Sequence, residues 1–335
     1  MAALGNGALT FADLVTQLGP DNQFAPFINL MAQRNGLTKN IPWRQGLLLD
    51  GDMVHMLTGL PYNGTAQWST INKGIPAGKA TFTSVQYKAG QLTGKTEVDK
   101  RELQIVGEGG FALLRARQTT SMIDQITQSM ASAFLYETLA NGAERINGLN
   151  TYYSTFSNVA TIPSAANVIT AGGATANGQS SMYLLTKDRG FYGFYPMNST
   201  MGMMLDDRGP VETSDSAGSY TVFREYFYMN CGLAIPDWRQ NVRICNIDTA
   251  GLKGGSPADL IGFSEQAVSL PTLDGDRFWI CPRNVYGHIR RQARKAVGTG
   301  GGLTFDNFAG QEIVRLHGYP IYVEDQMLST EAVVS

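Results

Sequence analysis

Apolar side chains recur at three- and four-residue steps in two stretches of the chain. Phe24, Phe27, Ile28 and Met31 mark a short helix within residues 1–45, broken by Gly36 and Pro42. Helices below about 12 to 15 residues are marginal in water, so this arm needs cover from the rest of its chain or from another copy. Met122, Ile123, Ile126, Met130, Phe134 and Leu135 predict a long helix from Gly109 or Gly110 to Leu139, stopped by Asn141-Gly142. At 1.5 Å per residue it would extend roughly 45 Å.

Between these helices the pattern turns extended. From Gly46 to about Lys95, glycines punctuate strand-like runs such as Thr81–Tyr87, which predicts a long hairpin displaying Met53, Met56, Leu57, Trp68, Ile71 and Phe82. An isolated two-stranded hairpin is at best marginally stable, so this one also calls for a partner surface.

Composition changes near residue 150. Tyr152, Tyr153, Phe156 and an Ala/Gly/Thr/Ser-rich run from Thr161 to Ser181 lead into a second lobe. Strands are expected at Ser181–Leu185, in the aromatic run Gly190–Pro196 and, after a Gly/Asp-rich turn, at Tyr220–Met229. Gly232–Asp248 joins two strand-like halves around a Pro236-Asp237-Trp238 corner. In its second half Val242, Ile244 and Asn246 alternate with Arg243, Cys245 and Ile247, the period of a half-buried strand. A helix over Pro257–Val268 capped by Ser256, a strand at Arg277–Cys281 and a helix over Pro282–Lys295 follow. After the linker Gly298–Gly302, Glu312–Val323 reads as two short strands turned at His317-Gly318. The fold class is α+β.

A chain of 335 residues exceeds the length at which a single core stops growing, which favours two lobes. Charged residues make up 16%, against a usual ~25%, consistent with surface buried between copies. A net charge of -2 argues against tight nucleic-acid binding and limits repulsion between packed subunits. The three cysteines, Cys231, Cys245 and Cys281, lack CxxC spacing and read as reduced, buried thiols. No basic region followed by an apolar run opens the sequence, and no stretch reaches ~18 apolar residues, so neither a signal peptide nor a membrane span is expected. The sequons at Asn63 and Asn198 then carry little meaning.

Catalytic and ligand-binding chemistry is poorly represented. His55, His288 and His317 fall in three regions without metal-ligand spacing, and no GxSxG, Walker or GxGxxG motif occurs. Asp206-Asp207 and Glu324-Asp325 read as solvated turns or subunit contacts, since adjacent strand residues point to opposite faces. The strongest charged feature is Arg283, Arg290, Arg291, Arg294 and Lys295, with 283, 290 and 294 sharing a helix face. Pairing with another subunit is preferred there over DNA binding.

Several segments, in order along the chain, resemble the major capsid proteins of short-tailed phages of the epsilon15 type. They are Asn22–Trp43, Thr58-Gly-Leu-Pro61, Glu97-Val-Asp99, Gly232–Asp248, Gly318–Asp325 and Ser329-Thr-Glu-Ala332. That family carries the HK97-like capsid fold. The resemblance implies an amino-terminal arm (1–45), an extended E-loop (46–96) and a P domain with a spine helix (97–150). It further implies an A domain (151–304) and carboxy-terminal strands returning to the P domain (305–335). The expected function is a structural, non-enzymatic subunit, without cofactor or metal, that self-assembles into an icosahedral shell around phage double-stranded DNA. Expected partners are copies of itself in hexamers and pentamers, a portal, decoration or scaffolding proteins, and packaged DNA held non-specifically, with no membrane. Its place would be the virion capsid, assembled in the host bacterial cytoplasm, with a maturation expansion that reorients lobes, arm and E-loop. Phe24, Phe27, Trp43, Trp68, Ile71, Lys73, Arg283, Arg290 and Arg294 are the candidate interface residues. Lys73 and Lys79 lie in the hairpin, but the similar proteins are held non-covalently, so no crosslink is expected. An encapsulin-like compartment, or a carbohydrate-binding or enzymatic module, is the alternative.

Overall fold

A computed structural model describes residues 35–57, 68, 70–74, 82–199, 202–215, 218–254, 258–295, 303–308 and 311–335. In chain order it contains helix α1 (Gly36–Asn40) and strands β1 (Trp43–Gln45), β2 (Gly51–Leu57), β3 (Phe82–Lys88) and β4 (Gly90–Asp99). Helices α2 (Lys100–Tyr136) and α3 (Leu149–Tyr152) follow, then β5 (Val168–Thr170), β6 (Gln179–Thr186), β7 (Tyr192–Tyr195), β8 (Met203–Asp215), β9 (Gly218–Ala234) and β10 (Val242–Asp248). The chain continues through α4 (Leu260–Ser269), β11 (Arg277–Cys281), α5 (Arg283–Lys295), β12 (Leu303–Phe308), β13 (Gln311–Leu316) and β14 (Tyr319–Val323). The helix expected around Phe24–Met31, the Ser256-Pro257 start and the Gly298–Gly302 run lie outside the described residues.

The long helix starts earlier and ends sooner than its apolar face predicts. Asp99 caps it by accepting the Arg101 N–H at 2.8 Å, and Glu102 three residues on is the sequence signal for this start. Gly107, at φ 75° and ψ 168°, then separates the first two turns from the rest. Only glycine holds that geometry without steric penalty. The helix stops at Tyr136, with Glu137 already extended, and Leu139–Asn141 forms one separate 3-10 turn. Ile126, Met130, Phe134 and Leu135 are buried as expected, whereas Ile123 is exposed. Asp99→Ala is expected to lose about 1 kcal/mol. Faster amide exchange confined to Lys100–Val106 would show that the loss comes from the first turns.

The described strands form three sheets. β2 and β3 form the hairpin, Gly51 pairing with Lys88 and Leu57 with Phe82. Five strands run β1-β7-β9-β4, with β8 also on β9. Seven run β12-β13-β14-β11-β6-β10-β5. The compositional change near residue 150 therefore does not divide the sheets, because β4 pairs with β9 and β1 with β7.

Between Pro196 and Tyr220, where a Gly/Asp-rich turn is expected, Met203–Asp215 is a strand with a bulge between Asp207 and Gly209, Gly209 at φ 64°. Gly218 supplies the following turn-side residue at φ 145°. β12 was not anticipated. α4 starts at Leu260 rather than Pro257, with Asp259 accepting the Gly262 N–H at 3.2 Å.

β10 is buried on both faces, not half-buried. Val242, Ile244 and Ile247 pack with Leu260 and Ala267 of α4 and Val285 and Ile289 of α5. Cys245 instead joins the core shared with Phe134 of α2 and Phe227 of β9. The alternation breaks at Asn246, at φ 56°, where a register shift between Ile244 and Ile247 returns Ile247 to the Val242 side. A two-layer flank explains why near-continuous burial replaces simple alternation in this strand.

The Pro236 corner carries the chain from β9 in one sheet to β10 in the other. Asp237 accepts the Arg239 N–H at 3.1 Å and pairs with its guanidinium at 2.8 Å, fixing a 3-10 turn over Trp238–Gln240. At Gly232, just before the corner, a Cβ would lie 2.3 Å from the Phe194 ring, so the close sheet packing requires glycine.

Candidate functional site

The hairpin is rooted firmly and presents its far end to solvent. Buried Asp52 accepts N–H bonds from Leu47 at 3.0 Å and Met53 at 2.9 Å, and the Tyr192 hydroxyl at 2.6 Å. On the paired strand the Tyr87 hydroxyl donates to the Ile235 carbonyl at 2.6 Å. Tyr87, Tyr192, Phe194 and Ala234 form a small apolar cluster beneath, with Val54 and Val85 packed on it. Burial first, with Tyr152 and Asp52 adding to it, raises the Tyr87 pKa above its ordinary range, so the hydroxyl remains a donor. At the other end of the segment, Trp68 and Ile71 are 105% and 93% exposed, and Lys73 is exposed beside them.

The chain leaving the arm is held by Glu324. Its carboxylate, wholly buried, accepts the Leu37 N–H at 2.9 Å, and Asn35 bridges to the same residue. Desolvation pushes its pKa up to about 7, the neighbouring Asp325 adding to the rise while backbone N–H groups oppose it. Asp325 itself faces Arg283 at 2.5 Å. Of the two readings expected at Glu324-Asp325, a solvated turn or a subunit contact, the solvated turn is corrected: one carboxylate is a buried anchor and the other an ion-pair partner. Asp206 and Asp207 likewise face different cations, Arg208 at 2.7 Å and Arg115 at 2.8 Å.

The carboxy-terminal segment ties the seven-stranded sheet to α2. Arg243 of β10, fully buried, meets Glu331 at 3.0 Å, and Glu331 also accepts hydroxyl bonds from Tyr136 at 2.6 Å and Ser181 at 2.5 Å. The Arg243 guanidinium further donates to the Tyr153 carbonyl at 2.7 Å. Asn246 closes the end of the segment with paired bonds to Val334, both at 2.8 Å.

The candidate interface residues that are described are not brought to one place. Phe24 and Phe27 lie outside the described residues. Trp43 is half-buried with its ring 6.1 Å from Phe134, engaged within its own subunit. Trp68, Ile71 and Lys73 share the hairpin segment. Arg283, Arg290 and Arg294 lie along α5, where Arg283 pairs with Asp325 and Arg290 lies 5.7 Å from the Tyr286 ring; the Arg294 side chain is outside the described residues. Arg291 turns inward to the Leu252 carbonyl and His288. Asp52, Arg243, Glu324 and Glu331 were missed as anchors because isolated charges in apolar runs carry no spacing signal. The exposed Leu47 and Leu49 could have been noticed in the run Leu47-Leu-Leu49.

Catalytic groupings do not assemble around these features. All three cysteines are free and buried, and burial pushes the Cys231 thiol up to about 12, leaving it protonated and unreactive. Among the described residues no group of three His, Cys, Asp or Glu is arranged to hold a metal, and no helix is long and apolar enough to cross a membrane.

Comparison with known proteins agrees with an assembling subunit. A chain of the bacteriophage epsilon15 structure from cryo-electron microscopy matches 100% of this chain and 99% of its own, at TM-score 0.77 and 20% identity. The bacteriophage JBD30 capsid matches 89% of this chain and 92% of its own, at TM-score 0.50 and 11% identity. The SrpI encapsulin of Synechococcus elongatus PCC 7942 matches 72% of this chain and 97% of its own, at TM-score 0.46 and 11% identity. No curated protein matches the sequence. The fold is the HK97-like capsid fold, and the encapsulin-like alternative is not favoured. The model of the major capsid protein GP7 family matches residues 19–335, so this chain belongs to that family and is a structural, shell-forming capsid subunit.

Proposed function

We propose that copies of this chain interlock non-covalently, chiefly through the hairpin and the arm, into a shell that encloses phage double-stranded DNA. The observation that carries this reading is the contrast within one element: a hairpin root locked by Asp52, Tyr87 and Tyr192, and a far segment with Trp68 and Ile71 in solvent. A fixed root combined with an exposed apolar segment is suited to capture by a neighbour. Many individually modest contacts, once linked in a closed shell, reinforce one another as multivalent binding does.

In this reading residues 1–45 are the arm, 46–96 the E-loop, 97–150 the P domain and 151–304 the A domain, with the strands of 305–335 returning to the P domain. The exposed face of α5 contacts neighbouring subunits rather than DNA, the chain's net charge being -2. The subunit has no enzymatic role. Portal and decoration or scaffolding proteins join the shell, which assembles in the host cytoplasm.

Deleting Gln67 to Gly78 is expected to leave a folded subunit that no longer forms closed shells. Electron microscopy and size-exclusion chromatography read both properties, and normal particles from the deletion would sink the hairpin's role. The intact shell is also expected to run as a single subunit band on a reducing denaturing gel; covalent ladders would contradict non-covalent closure.

A further inference from the structure

Six Asn-Gly pairs occur in the chain, beginning at Asn6, Asn35, Asn63, Asn141, Asn147 and Asn177. In such a pair the glycine nitrogen can attack the asparagine carboxamide, because no Cβ shields its approach. Asn6 and Asn63 lie outside the described residues. The structure sorts the other four.

Three of them are held. After Asn35, Gly36 is buried and its N–H meets the Glu324 carboxylate. The Asn147 carboxamide oxygen accepts the Leu139 N–H at 3.0 Å, while the Gly148 N–H donates to the Glu137 carbonyl at 2.8 Å. Asn141 is exposed, but its carboxamide donates to the Glu137 carboxylate at 3.0 Å, and that negative charge opposes loss of the proton from the Gly142 nitrogen. Asn177 differs from all three. It is exposed in the turn before β6, at φ 52°, and its side chain makes no hydrogen bond among the described residues. The Gly178 N–H reaches the Thr175 carbonyl only at 3.3 Å, a long bond that is readily given up.

We propose that Asn177-Gly178 is a site of self-modification, at which the chain converts its own asparagine to aspartate and isoaspartate. The Gly178 nitrogen bonds to the Asn177 carboxamide carbon and releases its proton. The carboxamide carbon–nitrogen bond breaks, and the amide nitrogen leaves with that proton as ammonia. Water then opens the cyclic imide, at the side-chain carbonyl to give aspartate or at the backbone carbonyl to give isoaspartate. Either product carries a new carboxylate, and one chain with water suffices.

The position gives the change a structural effect, because this turn clasps the carboxy-terminal segment. The Gly178 carbonyl accepts the Thr249 N–H at 3.1 Å and the Thr249 hydroxyl at 2.9 Å, and Gln179 exchanges backbone bonds with Glu331 at 3.2 and 2.8 Å. Isoaspartate routes the main chain through one extra carbon, about 1.5 Å, immediately ahead of these bonds. Aged chains therefore hold the segment less firmly.

The full-length chain is incubated at mildly alkaline pH in water enriched in a heavy oxygen isotope, folded in one arm and in denaturant in the other, and its peptides are mapped by mass spectrometry. In the folded chain Asn177 is expected to take up label roughly tenfold faster than Asn35, Asn141 and Asn147, the ratio set by a hydrogen bond that those three must first give up. In denaturant the four rates converge. A folded-state rate at Asn177 no higher than at the other three would overturn the assignment. Gly178→Ala, whose Cβ would lie 3.1 Å from the Thr175 methyl, is expected to fold and to slow the labelling; undiminished labelling would exclude the Gly178 nitrogen as the attacking group. Amide exchange at Gln179 and Glu331 reads the clasp. Faster exchange is expected in the aged chain and not in aged Asn177→Gln, whose longer side chain cannot close the same ring, and equal protection in aged and fresh chains would overturn the loosening.

Discussion

Glu331→Ala is expected to destabilise the unassembled subunit by about 3 to 5 kcal/mol, the range seen when one member of a buried ion pair is removed. Arg243 is 1% exposed, so the alanine variant strands a guanidinium where water cannot reach it. The Tyr136 and Ser181 hydroxyls lose their acceptor at the same time. Burial, with Glu331 and Tyr183 adding to it, raises the Tyr136 pKa above its ordinary range; the phenol therefore cannot relieve the loss by ionising. The denaturant midpoint measures the effect. Adding Arg243→Met should recover much of it, because a paired apolar replacement removes the desolvation problem along with the attraction. A double variant no better than Glu331→Ala would show that Arg243's bonds to Tyr153 and Ser181 matter more than the charge pair.

The second large effect is a pH dependence carried by Glu324. Its folded pKa is raised from 4.5 to about 7, so the folded state holds a proton that the unfolded state releases between those values. Stability from this group is complete below about pH 4.5, falls as pH rises to 7 and is flat above. A shift of that size corresponds to about 3 kcal/mol. The groups facing it are the Leu37 and Gln326 N–H donors and Asp325, whose own charge is matched by Arg283. Glu324→Gln keeps an acceptor for Leu37 and removes the titration. Subtracting its stability–pH curve from that of the unsubstituted protein isolates the Glu324 contribution from the carboxylates held low by arginines, such as Asp99 and Asp237. A difference curve flat between pH 4.5 and 7 would exclude the buried carboxylate as the source.

Periodicity made the secondary structure legible wherever one rule held over many residues. The helix face from Ile126 to Leu135, the hairpin strands and the His317-Gly318 turn followed directly from spacing and turn chemistry, with His317 and Gly318 both at positive φ. Local exceptions hid the rest. Gly107 masked the first two turns of the long helix, and the bulge at Asp207–Gly209 made a strand look like a turn. Asn246 moved Ile247 to the opposite face from the one alternation assigns. The anchors were not legible, because Asp52 with Tyr192 and Arg243 with Glu331 are separated by 140 and 88 residues. Their meaning exists only in the folded chain.

Leu37 meets its acceptor on Glu324 across 287 residues of sequence. During synthesis at about 5 to 20 residues per second, the arm's attachment point therefore waits roughly 15 to 60 seconds for its counterpart to be made. Throughout that interval the Leu37 N–H has no carboxylate to meet, and a chain ended before Glu324 never makes this bond.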